Sequence, residues 1–359
     1  MYGRVPEWGS SHSLASMRLG VLTGGGDCPG TNAVLRAITR KASSDLGTTV
    51  IGFMDAWDGV LEGRTVELTT DVVRGIHTRG GTILGTRRGS PLDHPKGVER
   101  VKSALAEHRV DVLIVIGGNG SLTVASILHD DYGIPIIGVP KTIDNDVVGT
   151  EYSFGFNTAV QIASDAIDRL HTTAESHDRI MVVEVMGREA GWIAMHAGLA
   201  GGATAIAIPE QPFDIAELAR LVTRRHDRGR YASVVVLAEG AMPIPGTLDV
   251  PVRAVDEYGH REYGDLALHV TPKLAELTGF DARVTQLGYV QRGGTPTSFD
   301  RVLSTQYGLA AVAAAEDGAV GTMVALSCGS MTRVPLSTTR GVIKRVDVGR
   351  FAELSPLLG

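Results

Sequence analysis

Two cysteines, Cys28 and Cys328, are all that 359 residues contain. That is too few for a disulfide framework or a cysteine-based metal site, and a reducing cytoplasm is the simplest home for such a chain. Basic charge is also short: 34 Lys and Arg stand against 40 Asp and Glu, a net charge of −6. This argues against a general nucleic-acid binder, so any anionic ligand must be held by local basic clusters. No stretch approaches the 18 consecutive apolar residues of a membrane span, and nothing at the start resembles a signal peptide, so the chain is expected to be neither membrane-spanning nor secreted. Residues 1–16 lack any periodicity and are expected to be a disordered leader or tag outside the fold.

What is present is a soluble composition, 43% hydrophobic and 21% charged, with length enough for two domains and a substantial core. The 45 glycines fall repeatedly in pairs or triples directly after apolar strands. That placement suggests backbone loops that approach ligands. The chain is organised around residues 138–146, Gly-Val-Pro-Lys-Thr-Ile-Asp-Asn-Asp, which come directly after the apolar run 134–137. An apolar strand opening into two carboxylates, an amide, a hydroxyl and a lysine is where an open α/β sheet carries its chemistry. This loop is read as the catalytic centre.

In chain order, residues 18–23 read as a buried strand running into Gly24-Gly25-Gly26-Asp27-Cys28-Pro29-Gly30-Thr31-Asn32, followed by an amphipathic helix over 33–42. Strand, glycine loop and helix form a phosphate-binding grammar, in which backbone N–H groups and the helix N-terminus meet an anion. No Gly-Lys-Ser/Thr closes the loop and it is not GxGxxG, so it is neither of the common nucleotide fingerprints; a tight βα turn is the alternative. Residues 49–53 read as a second strand, and 79–88 end in the pair Arg87-Arg88, whose plain reading is a solvated basic turn. A helix is predicted over 98–108 and a fully apolar strand over 110–116, ending in Gly117-Gly118-Asn119-Gly120-Ser121 before a helical pattern through 128. Two such loops on neighbouring strands can cradle a polyphosphate, and the 138–146 loop is the next strand end along. A second βα series begins after residue 150: a helix over 156–172, strands over 179–185, 203–208 and 231–238, and a strand-like run over 284–290, each ending in a Gly-containing loop with a charged residue. The last 25 residues are weakly patterned.

These motifs, in this order, resemble the bacterial ATP- or pyrophosphate-dependent 6-phosphofructokinases over roughly residues 17–345. The match rests on Gly24-Gly25-Gly26-Asp27 with Pro29-Gly30 and Asn32, Gly117 to Ser121, Pro140 to Asp146, Met186-Gly187-Arg188, and Leu287 to Gly294. The resemblance implies two Rossmann-like α/β/α domains with largely parallel sheets and the active site in the cleft between them. It implies a larger domain from 17–155 plus 292–335 that binds ATP and Mg²⁺, and a smaller one from 156–291 plus the C-terminal segment that binds the sugar phosphate. It also implies phosphoryl transfer to the 1-hydroxyl of fructose 6-phosphate, in a homotetramer with shared sites.

By the same resemblance Asp144 is the base for the sugar hydroxyl, with Thr142 and Asp146 assisting, Asp146 and Asn119 next to the metal. Arg88 stabilises the transferring phosphoryl group, and Gly25, Gly117, Gly118, Asn119, Gly120, Ser121 and Lys141 contact the donor. Met186, Gly187, Arg188, Glu239, Tyr289 and Arg292 face the sugar phosphate, and Arg179 and Arg283 match the pair that an adjacent subunit lends to its 6-phosphate; guanidinium forks suit a phosphate dianion. Gly120 stands where pyrophosphate-dependent relatives carry an aspartate, which leaves room for the α-phosphate of ATP, whereas Lys141 accompanies pyrophosphate use. Trp57 offers a ring that could stack on adenine. Lys141 keeps a pyrophosphate-dependent enzyme as an alternative. Asn119 replaces the family's acidic residue beside Mg²⁺, which leaves two more: a kinase of another ketose phosphate such as sedoheptulose 7-phosphate, and a weakly active metabolite-binding paralogue. Arg36, Arg40, Arg64, Arg228 and Arg230 match the basic set of the family's effector site, with Thr204 in place of its acidic member.

Overall fold

Valine, isoleucine and leucine fill the run at 112–116, and every position of it through Gly117 is buried, as a strand covered on both faces requires. The computed structural model describes residues 17–251 and 265–359; the expectation for residues 1–16 lies outside the described residues. The chain runs β1 (Leu19–Thr23), α1 (Thr31–Lys41), β2 (Val50–Phe53), α2 (Trp57–Glu62), β3 (Thr65–Leu68), α3 (Gly97–Glu107), β4 (Val112–Gly117), α4 (Asn119–Asp130) and β5 (Ile136–Pro140). It continues through α5 (Phe156–His177), β6 (Ile180–Val185), α6 (Trp192–Ala200), β7 (Ala205–Ala207), α7 (Ile215–Asp227), β8 (Ser233–Ala238), α8 (Leu266–Thr278) and β9 (Ala282–Gln286). Helix α9 (Ser298–Glu316), β10 (Thr322–Ser327), β11 (Ser330–Pro335) and α10 (Val348–Ala352) complete it.

Strands sort into a seven-stranded sheet, ordered β11-β10-β5-β4-β1-β2-β3, and a four-stranded sheet, ordered β7-β8-β6-β9. Among the described residues, only the edge strands β11 and β3 of the first sheet pair antiparallel, and the pairings of the second are all parallel. Helices cover both sheets, and burial of each Leu, Ile or Val side chain contributes about 1.5–3 kcal/mol toward holding them there. The chain crosses between the sheets three times, through residues 141–155, 287–297 and 336–347. Among the described residues no helix is long and apolar enough to cross a membrane.

The mixed α/β architecture is the one expected, but three local expectations shift. The strand predicted over 134–137 begins past Pro135 and continues through Gly138, Val139 and Pro140. Gly138 is a packing residue and not a turn: a Cβ there would lie 2.7 Å from Leu336 Cδ2. The Gly117–Ser121 stretch is not a loop, since Gly117 ends β4 and Asn119 already starts α4. The run over 284–290 stops as a strand at Gln286, because Gly288 turns left-handed at φ +47° and the chain winds into a 3₁₀ turn over Gly288–Arg292.

Candidate active site

Strand order reverses between β1 and β4: α1 leads away to β2 on one side and α4 to β5 on the other. The carboxyl ends of strands at such a point open into a crevice, and here the crevice is a cleft of about 930 Å³. Gly25 and Gly26 line it from the end of β1, Gly120 and Ser121 from the start of α4, and Arg88, Arg188, Tyr289 and Arg292 from the opposite walls. A Cβ at Gly24 would sit 2.4 Å from Ser121 Oγ, so glycine at this position lets the loop after β1 meet the first turn of α4. Gly117 and Gly118 lie just beneath, where Lys141 N donates to Gly117 O at 2.8 Å. The Lys141 ammonium is buried and donates to Gly26 O. Burial pushes its pKa down to about 8.

Beyond Lys141 the chain turns sharply. Asn145 takes a left-handed conformation at φ +51°, a region in which Asn is enriched, and its side-chain oxygen accepts from Ser153 N at 3.0 Å. Asp144 and Asp146 flank it, and Asp144 N donates to Thr142 Oγ1 at 3.0 Å. Burial raises the Asp144 carboxyl above its ordinary value, with Arg292, Arg188 and Lys141 opposing the shift. Asp146 is pushed up to about 6, first by burial and then by the Asp144 charge. Asn119, at the start of α4, donates through Nδ2 to Asp146 O at 3.4 Å. One oxygen each of Asn119, Asp144 and Asp146 is buried with no hydrogen-bond partner among the described residues. Oxygens left in that state suit a hard cation that keeps several waters and takes its remaining ligands from a phosphate donor.

The second sheet supplies the other wall. Arg188 lies just past β6 and its Nε is 3.5 Å from Glu239 Oε1 at the end of β8; burial raises the Glu239 carboxyl and the Arg188 charge offsets part of it. The approach depends on Gly240, where a Cβ would fall 1.8 Å from the Arg188 carbonyl oxygen. Gly240→Ala is therefore expected to displace the Arg188 loop and destabilise the fold by about 1–3 kcal/mol in denaturant titration; an unaltered midpoint would mean that the loop yields freely. Met186, Arg188, Glu239 and Tyr289 also line an adjoining hollow of about 220 Å³, behind which Gly187 bends with φ +135°. Arg292 packs on Gly26 and donates from Nη1 to Asp27 O at 3.5 Å.

Other expected residues lie elsewhere. Arg179 and Arg283 stand at the amino ends of β6 and β9, away from Arg188, and both donate to the Asp281 carboxylate, Arg179 Nε at 2.6 Å. Trp57 does not reach the cleft: it is buried against Phe53, Val60 and Leu61, so its role is packing. Of the arginines read as an effector set, Arg36 and Arg40 lie one turn apart on α1, Arg228 and Arg230 follow the end of α7, and Arg64 is held by Asp55 and Glu62. The hydroxyl of Thr204 accepts from Val234 N at 3.3 Å and serves the edge of the second sheet. Asp58, Ser90, Asp93, His94 and Val124 line the cleft although the sequence did not single them out. The Ser90-Pro91 pair was the available signal, since Ser90 Oγ accepts from Leu92 N and Pro91 opens a 3₁₀ turn that folds the segment over the cleft. Asn32 acts structurally: its amide bonds Arg79 O, Gly80 O and Ile83 N, and thereby braces the loop that leads to Arg88.

The family model described as phosphofructokinase matches residues 18–315. The chain is 52% identical over 343 residues to the pyrophosphate–fructose 6-phosphate 1-phosphotransferase of Streptomyces coelicolor, covering 96% of this chain and 100% of that protein. It is 48% identical over 347 residues to the ATP-dependent 6-phosphofructokinase of Corynebacterium efficiens, with the same coverage. Among solved structures it superimposes on the T-state phosphofructokinase of Pichia pastoris with a TM-score of 0.80 at 31% identity, covering 95% of this chain and 36% of that one.

Proposed function

The chain belongs to the phosphofructokinase family, and on that premise we propose that it transfers a phosphoryl group from ATP to the 1-hydroxyl of fructose 6-phosphate, in glycolysis and therefore in the cytoplasm. The observation that carries the reading is the buried turn bearing Asp144 and Asp146, with Asp144 in the field of Arg292 and Arg188, which line a cleft that has a glycine cradle on its other wall; Glu239 lines the adjoining hollow. An alcohol attacking a terminal phosphate needs a base for its proton and cations for the charge on the transferring group.

Asp144 takes that proton, and Thr142 orients the turn through the Asp144 N–H. Arg88 and Arg188 neutralise the equatorial oxygens of the transferring group. Gly25, Gly117, Gly118, Gly120 and Ser121 hold the donor, while Met186, Gly187, Arg188, Glu239, Tyr289 and Arg292 hold the sugar phosphate. Mg²⁺, when bound, supplies charge neutralisation on the donor phosphates; Asp146 and Asn119 would hold it, partly through water. Residues 17–155 with 292–335 form the donor-binding unit, and 156–291 with the C-terminal segment the sugar-binding unit.

Gly120 favours ATP because it leaves the donor cradle without a side chain. Pyrophosphate is the second reading, favoured by the Lys141 ammonium, which reaches the backbone of the cradle where a short donor would end. Purified protein supplied with Mg²⁺, a panel of ketose phosphates and either donor decides between them. ATP-driven formation of fructose 1,6-bisphosphate is expected. Turnover with pyrophosphate alone overturns the donor, preference for a longer ketose phosphate overturns the acceptor, and no turnover unless Asn119→Asp is introduced identifies a weakly active paralogue.

The position of Arg179 and Arg283, far from their own cleft and aligned by Asp281, supports a homotetramer in which they complete a neighbour's site. Asp144→Asn and Arg283→Ala subunits, each nearly inactive alone, are then expected to recover turnover when refolded together. No recovery in mixed oligomers would mean that each chain holds a whole site.

A further inference from the structure

Lys344 lies outside the cleft, in a separate hollow of about 550 Å³ on the far side of the catalytic turn. Its ammonium donates to Asn145 Oδ1 at 2.9 Å, Thr150 O at 2.9 Å and Glu151 O at 2.8 Å, which commits all the donors an ammonium has. The main chain of the same residue is engaged on both sides. Its N–H donates to Asp146 O at 2.8 Å, and its carbonyl accepts from Trp192 Nε1 at 2.9 Å. Two residues on, Val346 N donates to Glu210 Oε1 at 2.8 Å, and Glu210 also accepts from Gly191 N. One short segment therefore clasps the turn carrying both carboxylates and the start of α6, just after Arg188.

We propose that Lys344 is a positioning residue for phosphoryl transfer: it holds the Asp144–Asp146 turn from behind and in register with the Arg188 loop. Asn145 is the point of leverage. Its left-handed backbone sets the directions of both neighbouring carboxylates, and its side chain is gripped by Ser153 N and the Lys344 ammonium. Remove the ammonium and the carbonyls of Thr150 and Glu151 lose a donor together with the amide oxygen of Asn145, so the turn is free to shift. A misplacement on the order of 1 Å costs as much as 10²-fold in rate. An ammonium with every donor committed to protein acceptors has none left for a ligand, which separates this role from direct contact with substrate.

The inference rests on Asp144 being the base, and a double-mutant cycle separates the two claims. Lys344→Met is expected to lower kcat about 30-fold with KM for both substrates within about threefold, and Lys344→Arg to recover part of the loss. In an Asp144→Asn background the same Lys344→Met change is expected to cost less than about threefold, because no base remains to be positioned. An equal loss in both backgrounds, or a wild-type kcat in folded Lys344→Met protein, overturns the proposal. A wild-type rate for Asp144→Asn alone overturns the assignment of the base instead. Should Lys344→Met fail to fold, Trp192→Phe removes the indole donor to the Lys344 carbonyl, leaves a smaller ring beside its ammonium and passes through the same cycle; a loss of about fivefold confined to the Asp144 background supports the proposal, and no loss or equal losses sink it.

Discussion

Asp144→Asn is expected to lower kcat about 10³-fold while KM for fructose 6-phosphate moves less than about threefold, as loss of a general base does. The amide is isosteric, and the bond that sets the turn, Asp144 N–H to Thr142 Oγ1, is made by the backbone and survives. What changes is basicity. The carboxylate is crowded by Arg292, Arg188 and Lys141 and has an oxygen with no partner among the described residues, so it is free to take a hydroxyl proton. Removing it takes a proton acceptor from the transition state and nothing from the groups that grip the sugar phosphate. Steady-state kinetics with a thermal melt check the claim. A rate within tenfold of wild type would take the base away from Asp144, and a large rise in KM would make it a binding group.

Gly120→Asp is expected to lower kcat/KM for ATP about 100-fold and to spare or improve use of pyrophosphate, since two like charges a few ångströms apart in a partly buried cleft repel by several kcal/mol. The substitution is tolerable to the fold. A Cβ at Gly120 meets nothing within 4 Å, and an acidic residue in the first turn of α4 is favoured by the helix dipole. The new carboxylate would project into the cleft beside Ser121, where the proposed donor site would place the α-phosphate of a nucleotide and nothing of a pyrophosphate. Lys141 keeps its place against the Gly26 carbonyl and so its proposed role toward the terminal phosphates. Equal losses with both donors would show that position 120 does not face the α-phosphate.

Much of this was legible because apolar strands that end in glycine announce themselves. The runs at 19–23, 112–117 and 233–238 are buried at every position, and the segments just beyond such strands in a parallel sheet are where ligands bind. Composition misled where a glycine answered to packing and not to chain reversal, as at Gly138 beneath Leu336 and at Gly117 beside Ser121. Trp57 and Lys344 show the deeper limit. Whether an aromatic ring beyond a strand faces a ligand or the core depends on the helix packed over it. Whether a lysine in a weakly patterned tail is solvated or clasps a turn 199 residues away depends on tertiary contact alone. Asp281 was missed for the same reason, since its value lies in standing between Arg179 and Arg283.

The three crossings between the sheets carry a mechanical consequence. Residues 141–155 hold Asp144 and Asp146, residues 287–297 hold Tyr289 and Arg292, and residues 336–347 hold Lys344. Elsewhere a hinge can be a plain linker distant from the chemistry, but here each of these links carries residues of the proposed site or, in Lys344, of its support. On those proposed roles, a parting of the two walls to release product would move the machinery along with its hinges and so disarm the site as it opens. Each turnover then includes reassembling it.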